Sequence, residues 1–542
     1  MSRAALLALL LTSCAMPEPA VPAPRTVPET SDYHATSSHA EVLAFLDQVR
    51  AAEDPRLVFT SFGRTAEGRE LPLVIVADPP VDTPTKARES GKPVVLVMAN
   101  IHAGEVEGKE ACLQLLREVV WGANEDGDEP WPIDELVTLV VPIYNADGND
   151  RLGPRNRPLQ HGPDTAGQRP NAAGLDLNRD ALKLESGEAR ALAGLFRAWD
   201  PHLFVDLHTT NGSAHGYELT YAPPLNPSVH PAILAAEEQE WLPELRARMR
   251  ERRGFETFDY GNFMDEGEFK DEVDSASGWR SFDHRPRFGT NAYGLRNRFA
   301  ILSEAYSYAD FATRIAATRA FVAEILALAA ERGDELRELC ARADLETVEA
   351  ARQGDLLQFG GAQLVSRGHE PVLLRGFREV PNPATGEAER VADGERTSVV
   401  VPCFVRFEGT DPLMAPRSYL IPPRSELFDP GPVLSVLAAH GVRMDAFTQP
   451  MDADVDVYTV RVTRTVDEEF QKHHERHATF DVTRERRTLP PGTVCVPVDQ
   501  PLGRLVFQLL DPRADDGLLA WNAFDPVLNL GLAAELPVWI ER

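Results

Sequence analysis

The sequence contains few cysteines, and none of them is spaced as part of a metal-binding pair. Five cysteines occur in 542 residues, and no two form a CxxC motif. A zinc site built from thiolates is therefore not expected. Positive charge is also scarce, because 84 acidic residues outnumber 55 basic ones and give a formal net charge of −29. Such a surface repels nucleic-acid phosphates, so we expect no nucleic-acid partner.

The N-terminus has an apolar run that is too short to span a membrane. Arg3 precedes apolar residues 4–11, and residues 11–14 read Leu-Thr-Ser-Cys. A basic start, a short apolar run and small residues are typical of a signal peptide. Residues 11–14 resemble a bacterial lipobox, which implies lipidation of Cys14 after cleavage. We therefore expect residues 1–14 to be a lipoprotein signal peptide. The protein would be exported and lipid-anchored to the cell envelope, with the periplasmic or outer-membrane face favoured.

Three further regions follow in the chain. Residues 15–35 are rich in proline and predict an extended tether. Residues 36–344 alternate predicted strands and helices, which favours an α/β domain. Residues 345–542 contain short strand-like runs, including residues 505–510, and predict a β-rich accessory domain. Cys403 and Cys495 are the only pair considered for a disulfide, and buried free thiols are the alternative.

Continuous apolar runs predict strands that are buried on both faces, as in a parallel sheet. Polar side chains follow three of these strands, and open α/β sheets place ligands at the carboxyl ends of their strands. The side chains concerned are His102, Glu105, His208 and Glu304. A lone HxxE motif carries little weight, but four candidates at three strand ends predict a site.

The four candidates suit one zinc ion and a general base. Catalytic zinc takes three protein ligands and leaves one position for water, so we assign His102, Glu105 and His208 as the ligands. Two imidazoles and one carboxylate leave a net positive charge on the metal, which acidifies bound water. Asp206 is placed to support His208. Glu304 is assigned as the general base and acid.

The sequence resembles the zinc metallocarboxypeptidases, the carboxypeptidase A-like or funnelin family, as a bacterial lipoprotein member. The HxxE motif, the distant histidine and the later glutamate carry the resemblance. Four segments add to it, namely residues 63–69, 142–148, 174–180 and 291–304. The resemblance covers about residues 50–340 and implies a mixed, mostly parallel sheet with helices on both faces.

The resemblance also implies roles in substrate binding. Asn178 and Arg179 would bind the terminal carboxylate of a peptide substrate, for which a guanidinium has suitable geometry. Arg157 would stabilise the developing oxyanion, and Arg155 is the alternative. Tyr293 is a further candidate for substrate binding. Many family members have an arginine between the zinc-binding His and Glu, but this chain has Ala103-Gly104 there.

Removal of C-terminal residues from peptides is the function that these residues favour. A zinc amidohydrolase acting on cell-wall peptides or acylated amino acids is one alternative. An inactive binding lipoprotein on the same fold is another. A second histidine cluster, within residues 471–477, is expected to be a polar helix or loop and not a second metal site.

Overall fold

The computed structural model describes residues 21–122, 131–210, 213–263, 278–383 and 385–542. The predicted signal peptide and the predicted lipidation site at Cys14 lie outside these residues. Within the described ranges, the helices are all too short or too polar to cross a membrane. The four cysteines among these residues have free thiols, including Cys403 and Cys495.

A sheet of eight strands forms the centre of the N-terminal half. The strands of this half are β1 Leu57–Arg64, β2 Glu70–Val76, β3 Val94–Ala99, β4 Val137–Val141, β5 Leu203–Thr209, β6 Leu219–Ala222, β7 Thr257–Asp259, β8 Asn262–Phe263, β9 Trp279–Arg280 and β10 Phe299–Ala305. The order in the large sheet is β1-β2-β4-β3-β5-β10-β6-β7. Strands β4, β3, β5 and β10 are mutually parallel, as their apolar sequences predict.

Helices cover both faces of this sheet, which confirms the predicted fold class. The helices of this half are α1 Val27–Thr30, α2 His39–Arg50, α3 Pro84–Ser90, α4 Glu107–Trp121, α5 Ala146–Asn149, α6 Gly187–Trp199, α7 Pro231–Ala236, α8 Leu242–Arg248, α9 Gly289–Gly294, α10 Phe311–Glu331 and α11 Gly333–Gln353. Helices α2, α4 and α10 share one hydrophobic cluster with the sheet. Helices α3, α6 and α9 share the cluster on the opposite face.

Strand β5 shows how the sheet orients its functional residues. Its residues alternate between the two faces, as a strand requires. Val205 and Leu207 belong to the cluster with α4 and α10. Phe204 belongs to the opposite cluster. By the same alternation, Asp206 and His208 lie on the Phe204 side.

Residues after α11 form two further sheets and, together with β8 and β9, a third. Their strands are β11 Leu357–Val365, β12 His369–Pro381, β13 Ala388–Phe404, β14 Arg406–Met414, β15 Ser418–Ile421, β16 Asp445–Ala446, β17 Met451–Thr465, β18 Arg476–Leu489, β19 Val494–Pro497 and β20 Trp539–Glu541. Their helices are α12 Gly431–His440, α13 Gly503–Leu510 and α14 Asp525–Leu528. The sheet orders are β11-β14, β12-β13-β9-β8 and β16-β19-β15-β20-β17-β18.

The two halves share one core. Tyr419, Leu505 and Phe507 belong to the same buried cluster as strands β3 and β5. Strand β9 of the first half pairs with β13 of the second. The predicted boundary between residues 344 and 345 falls inside α11. The division into a catalytic and an accessory domain stays a prediction.

Two local predictions are wrong. Residues 505–510, expected to form a strand, lie in α13, where polar residues such as Arg504 and Gln508 are buried together with the apolar ones. A short apolar run does not distinguish a strand from such a buried helix. Residues 21–35, expected to be part of an extended tether, pack against the domain instead. Glu29 caps α1 and forms an ion pair with Arg117 of α4 at 2.8 Å. The carbonyl of Pro24 accepts a hydrogen bond from the same guanidinium.

Candidate metal centre

The predicted ligands converge at the carboxyl ends of β3 and β5. His102 and Glu105 lie in the tight turn between β3 and α4, where the Glu105 N–H donates to the His102 carbonyl at 2.9 Å. His208 lies near the end of β5, which is parallel to β3. All three side chains are buried. The turn therefore brings two residues of one loop against a third on the neighbouring strand.

The three side chains direct their ligand atoms towards one point. Nδ1 of His208 lies 3.2 Å from Nδ1 of His102 and 2.9 Å from Oε2 of Glu105. Nδ1 of His102 lies 3.0 Å from Oε1 of Glu105. Ligand atoms about 2 Å from a tetrahedral zinc are about 3.3 Å apart, so the spacing fits zinc. This is the one such group of three or more found among the described residues.

Two aspartates lie next to the far nitrogens of the histidines. Nε2 of His102 lies 3.0 Å from Oδ1 of Asp176, and Nε2 of His208 lies 3.1 Å from Oδ2 of Asp206. Carboxylates in these positions favour a proton on Nε2 and leave the Nδ1 lone pair for a metal. Burial alone would lower the pKa of His208, but Asp206 and Glu105 raise it well above its usual value.

The carboxylate of Glu105 stays ionised despite its burial. Burial opposes the charge, but the charges of His102 and Arg157 hold the pKa of Glu105 well below its usual value. Its Oε2 atom also accepts the backbone N–H of Thr209 at 3.1 Å. The centre therefore offers one negative charge and two imidazoles to a metal.

Glu304 lies beside the three ligands on strand β10. It is the direct register partner of His208 in the parallel pair β5–β10. The side chain is 8% exposed, and its Oε2 has no hydrogen-bond partner among the described residues. Burial, together with the charge of Glu105, raises the pKa of Glu304 to about 8 in the absence of a metal. A bound dication would lower that pKa.

The three arginines within residues 155–169 differ in the N–H groups that they leave free. Arg155 is 74% exposed and pairs with Glu387. Arg157 lies at the site, but its guanidinium is occupied by Glu105 and by the carbonyls of Thr209 and Thr210. Arg157 therefore braces the ligand loop against the end of β5.

Arg169 is the arginine with donors left for a substrate. Its side chain is 36% exposed, its Nε donates to Asp176 at 2.9 Å, and its Nη1 lies 3.6 Å from Glu105. The charge of Glu304 also acts on it. We conclude that Arg169, and not Arg157, presents free N–H groups beside the metal ligands.

Asn178 and Arg179 lie directly after Asp176 in a short 3-10 turn. The Asp176 carboxylate caps this turn by accepting the N–H of Asn178 at 2.9 Å. Asn178 Oδ1 accepts the N–H of Gly289 at 2.8 Å. The Arg179 guanidinium lies 4.0 Å from the ring centre of Phe288 and keeps 20% of the side chain exposed. One aspartate thus connects the predicted metal ligand His102 to both predicted carboxylate-binding residues.

Comparison with known proteins identifies the family. Residues 42–231 match the family model Peptidase_M14, described as zinc carboxypeptidase. These residues belong to the zinc carboxypeptidase family. The predicted enzyme class, a zinc metallopeptidase of the metallocarboxypeptidase type, is confirmed, and metal-dependent hydrolysis of peptides follows at the level of the family. Zinc carboxypeptidases bind peptides that carry a C-terminal carboxylate.

Several carboxypeptidases are similar to parts of the chain. Carboxypeptidase 2 of Trichophyton rubrum is 23% identical over 474 residues, which are 85% of this chain and 79% of the relative. Carboxypeptidase B of Rattus norvegicus is 30% identical over 135 residues, which are 24% of this chain and 30% of the relative. The solved metallo-carboxypeptidase of Pseudomonas aeruginosa has 20% identity and a TM-score of 0.39, covering 56% of this chain and 71% of its own.

Tyr293 is not brought to the zinc carboxypeptidase site, so this prediction is wrong. Its hydroxyl donates to the carbonyl of Pro201, ahead of β5. The metal ligand His208 lies near the other end of β5, about 20 Å away at the usual rise per residue. The Tyr293 ring packs against Phe196 and Phe204 in the core. Tyr293 is therefore a core residue. Its distance from Glu304 in the sequence could not distinguish a core tyrosine from one that binds substrate.

Three residues near the site, Asp176, Arg169 and Tyr260, are not among the residues predicted from the sequence. Asp176 is part of the motif that includes Asn178 and Arg179, and Arg169 precedes that motif by a few residues. Burial, together with the charge of Glu304, raises the pKa of Tyr260, which follows β7. The sequence alone does not show that Tyr260 and Glu304 interact.

The second histidine cluster, within residues 471–477, forms a turn and the start of a strand. The turn is closed by paired backbone hydrogen bonds between Phe470 and His473. Nε2 of His473 lies 2.8 Å from Glu185, and its Nδ1 lies 2.7 Å from Asn522. His477 lies in β18. These histidines are absent from the metal-binding groups found among the described residues.

Proposed function

We propose that this chain is a zinc-dependent carboxypeptidase that removes C-terminal residues from peptides, with one zinc ion per chain. The convergence of His102, Glu105 and His208 beside Glu304, whose Oε2 has no hydrogen-bond partner among the described residues, carries the proposal. The family match of residues 42–231 supports it. When bound, zinc would polarise the scissile carbonyl and lower the pKa of a water molecule.

The residues of the chain supply the proton transfers. Glu304 accepts the proton of the attacking water and then donates it to the nitrogen of the leaving amine. Its position opposite His208 supports this role, since a base must lie within reach of the water at the metal. Burial keeps bulk water away from the carboxylate, so the transferred proton is retained for the second step.

Two further groups bind the substrate. Arg169 donates hydrogen bonds to the carbonyl oxygen as negative charge develops on it, a role first assigned to Arg157. Asn178 and Arg179 bind the terminal carboxylate of the peptide. The partial exposure of Arg169 and Arg179 supports both assignments. A free C-terminal carboxylate would then distinguish substrates from internal peptide segments.

Hydrolysis of matched peptides tests the function. The purified chain is incubated with peptides that end in a free carboxylate and with the same peptides amidated. We expect zinc-dependent release of single C-terminal residues from the free acids and little from the amides. Faster hydrolysis of the amides, or cleavage only of acylated amino acids, would favour the amidohydrolase.

Export and lipidation through Cys14 complete the proposal. The apolar run and the lipobox-like residues 11–14 support it. Cys14→Ser should release the protein from membranes in its native host. Membrane flotation of the variant at the wild-type level would contradict the lipid anchor.

A further inference from the structure

The hairpin β17–β18 carries a turn that reaches the candidate site. We define the hairpin tip as residues 470–475. The side-chain Oε1 of Gln471 accepts the backbone N–H of Asp176 at 2.7 Å. Asp176 holds the metal ligand His102 and caps the turn with Asn178 and Arg179. Gln471 of the C-terminal half thus contacts Asp176, which supports both the predicted metal site and the predicted carboxylate-binding pair.

A second set of contacts fixes the hairpin tip beside the site. Arg287 is 2% exposed, and its Nη1 donates to Glu475 of the hairpin tip at 2.6 Å. Its Nε donates to the buried Asp516 at 2.8 Å. The rings of Phe470 and Trp521 lie 5.3 and 4.6 Å from the same guanidinium. A charge buried with two carboxylates and two aromatic rings leaves little freedom of movement.

The two residues that follow Arg287 contact the predicted carboxylate-binding pair. Phe288 follows Arg287 in the chain and lies under the guanidinium of Arg179. Gly289 is next and donates its N–H to Asn178. Contacts from the C-terminal half therefore hold the segment on which Asn178 and Arg179 rest.

The backbone of the hairpin tip is held in an unusual conformation. Gln471 and Lys472 have φ angles of 51° and 65°, in the left-handed region that residues with a side chain seldom adopt. Such a conformation persists only when surrounding contacts impose it, and it is often found at functional sites. In this conformation Gln471 accepts the N–H of Asp176.

We propose that Gln471 is a positioning residue of the carboxylate subsite and that the hairpin tip forms one wall of this subsite. Gln471 acts through Asp176, whose N–H it holds. This inference rests on the proposed function, because it assigns the C-terminal half a part in selecting substrates with a free carboxylate. It predicts that charge at the hairpin tip changes the binding of free acids selectively.

Binding to a variant that does not turn over substrate provides the test. The zinc-loaded full chain with Glu304→Gln is titrated by calorimetry with benzoylglycyl dipeptides ending in Phe, Leu, Arg or Glu. Each ligand is used as the free acid and as the amide. Gln471→Glu keeps an acceptor for the Asp176 N–H but adds a negative charge. We expect about tenfold weaker binding of the acids, from charge repulsion near the surface, and no change for the amides.

Control variants separate this effect from general damage. Gln48→Glu makes the same change on the exposed face of α2 and should leave both affinities unchanged. Lys472→Glu alters an exposed side chain of the hairpin tip and replaces Gln471→Glu as the test variant if the latter does not fold. It should also weaken acids selectively, by several fold, and high salt should reduce the effect. Its matched control is Lys86→Glu, on the exposed surface of α3.

The outcomes distinguish the two proposals. If the Glu304→Gln chain prefers acids, and neither hairpin-tip variant changes that preference, the role of Gln471 is wrong and the proposed function stands. Equal weakening of acids and amides would also overturn it, since a merely structural role has that effect. If the chain with intact Gln471 does not prefer acids, the carboxylate selection in the proposed function fails, and this inference fails with it.

Discussion

Glu304 and His208 are direct register partners on the adjacent parallel strands β10 and β5. Partners in register place their side chains on the same face of a sheet. Glu304 is thereby fixed beside a metal ligand by backbone hydrogen bonds of the sheet, and not by a loop. Such a base needs little reorganisation when substrate binds.

Glu304→Gln should bind zinc normally and lose most turnover. Removal of a general base lowers kcat by about 10²–10⁴-fold. Steady-state kinetics and metal analysis of the same sample measure both effects. Glu237→Gln is a matched control, because Glu237 is also fully buried with a raised pKa and its amide could still accept the N–H of Ala300. A Glu304→Gln variant as active as Glu237→Gln would eliminate Glu304 as the base.

Asp176→Asn and Asp206→Asn should weaken zinc binding while the ligands remain. Loss of a carboxylate partner of a ligating histidine lowers metal affinity by about 10–100-fold. Competition with a chromogenic chelator measures the affinity of each variant. The control is Asp525→Asn, because Asp525 of α14 forms an ion pair with Arg476 of β18. Affinities equal to the control in both variants would show that the two contacts do not support the histidines.

Arg169→Ala and Arg155→Ala should differ sharply. Arg169→Ala should retain zinc and lose about 10²–10³-fold in kcat, the usual effect of removing an oxyanion donor. Arg155→Ala should behave as wild type, because the side chain is 74% exposed and its partner among the described residues is Glu387. Kinetics at saturating substrate distinguish them. If Arg169→Ala has a normal kcat, a group other than Arg169 stabilises the oxyanion.

Arg157→Ala should act on the metal site and not on catalysis alone. Its guanidinium joins Glu105 to the carbonyls of Thr209 and Thr210, so its removal leaves buried acceptors unpaired. We expect a lower melting temperature and weaker zinc binding than for Arg169→Ala. Differential scanning fluorimetry with and without zinc measures both quantities. Normal stability with reduced kcat would instead support the role first assigned to Arg157.

The strand-end residues of the site could be predicted from the sequence, whereas the arginines could not. His102, His208 and Glu304 follow apolar runs, and the topology of a parallel sheet brings such positions together. Arg155, Arg157 and Arg169 lie in an irregular segment without periodicity. Which guanidinium stays free depends on acceptors such as the Thr209 carbonyl, and these are known only from the fold.

Long-range packing explains the remaining differences. Gln471 and Asp176 are 295 residues apart in the sequence, so no local pattern signals their contact. A short apolar run such as residues 505–510 does not distinguish a strand from a buried helix. Pro24 lies in a proline-rich segment that resembles a linker, yet its carbonyl binds Arg117.

Zinc content measured together with activity tests the central claim most directly. The purified chain, stripped with a chelator, is reloaded with zinc and assayed on free-acid peptides. We expect one equivalent of zinc to restore turnover. His102→Ala and His208→Ala should fail to retain it, while a variant with alanine at His473, His474 and His477 should bind and turn over normally. Full activity of the wild-type chain after zinc has been removed, or stoichiometric zinc in both single variants, would contradict the account.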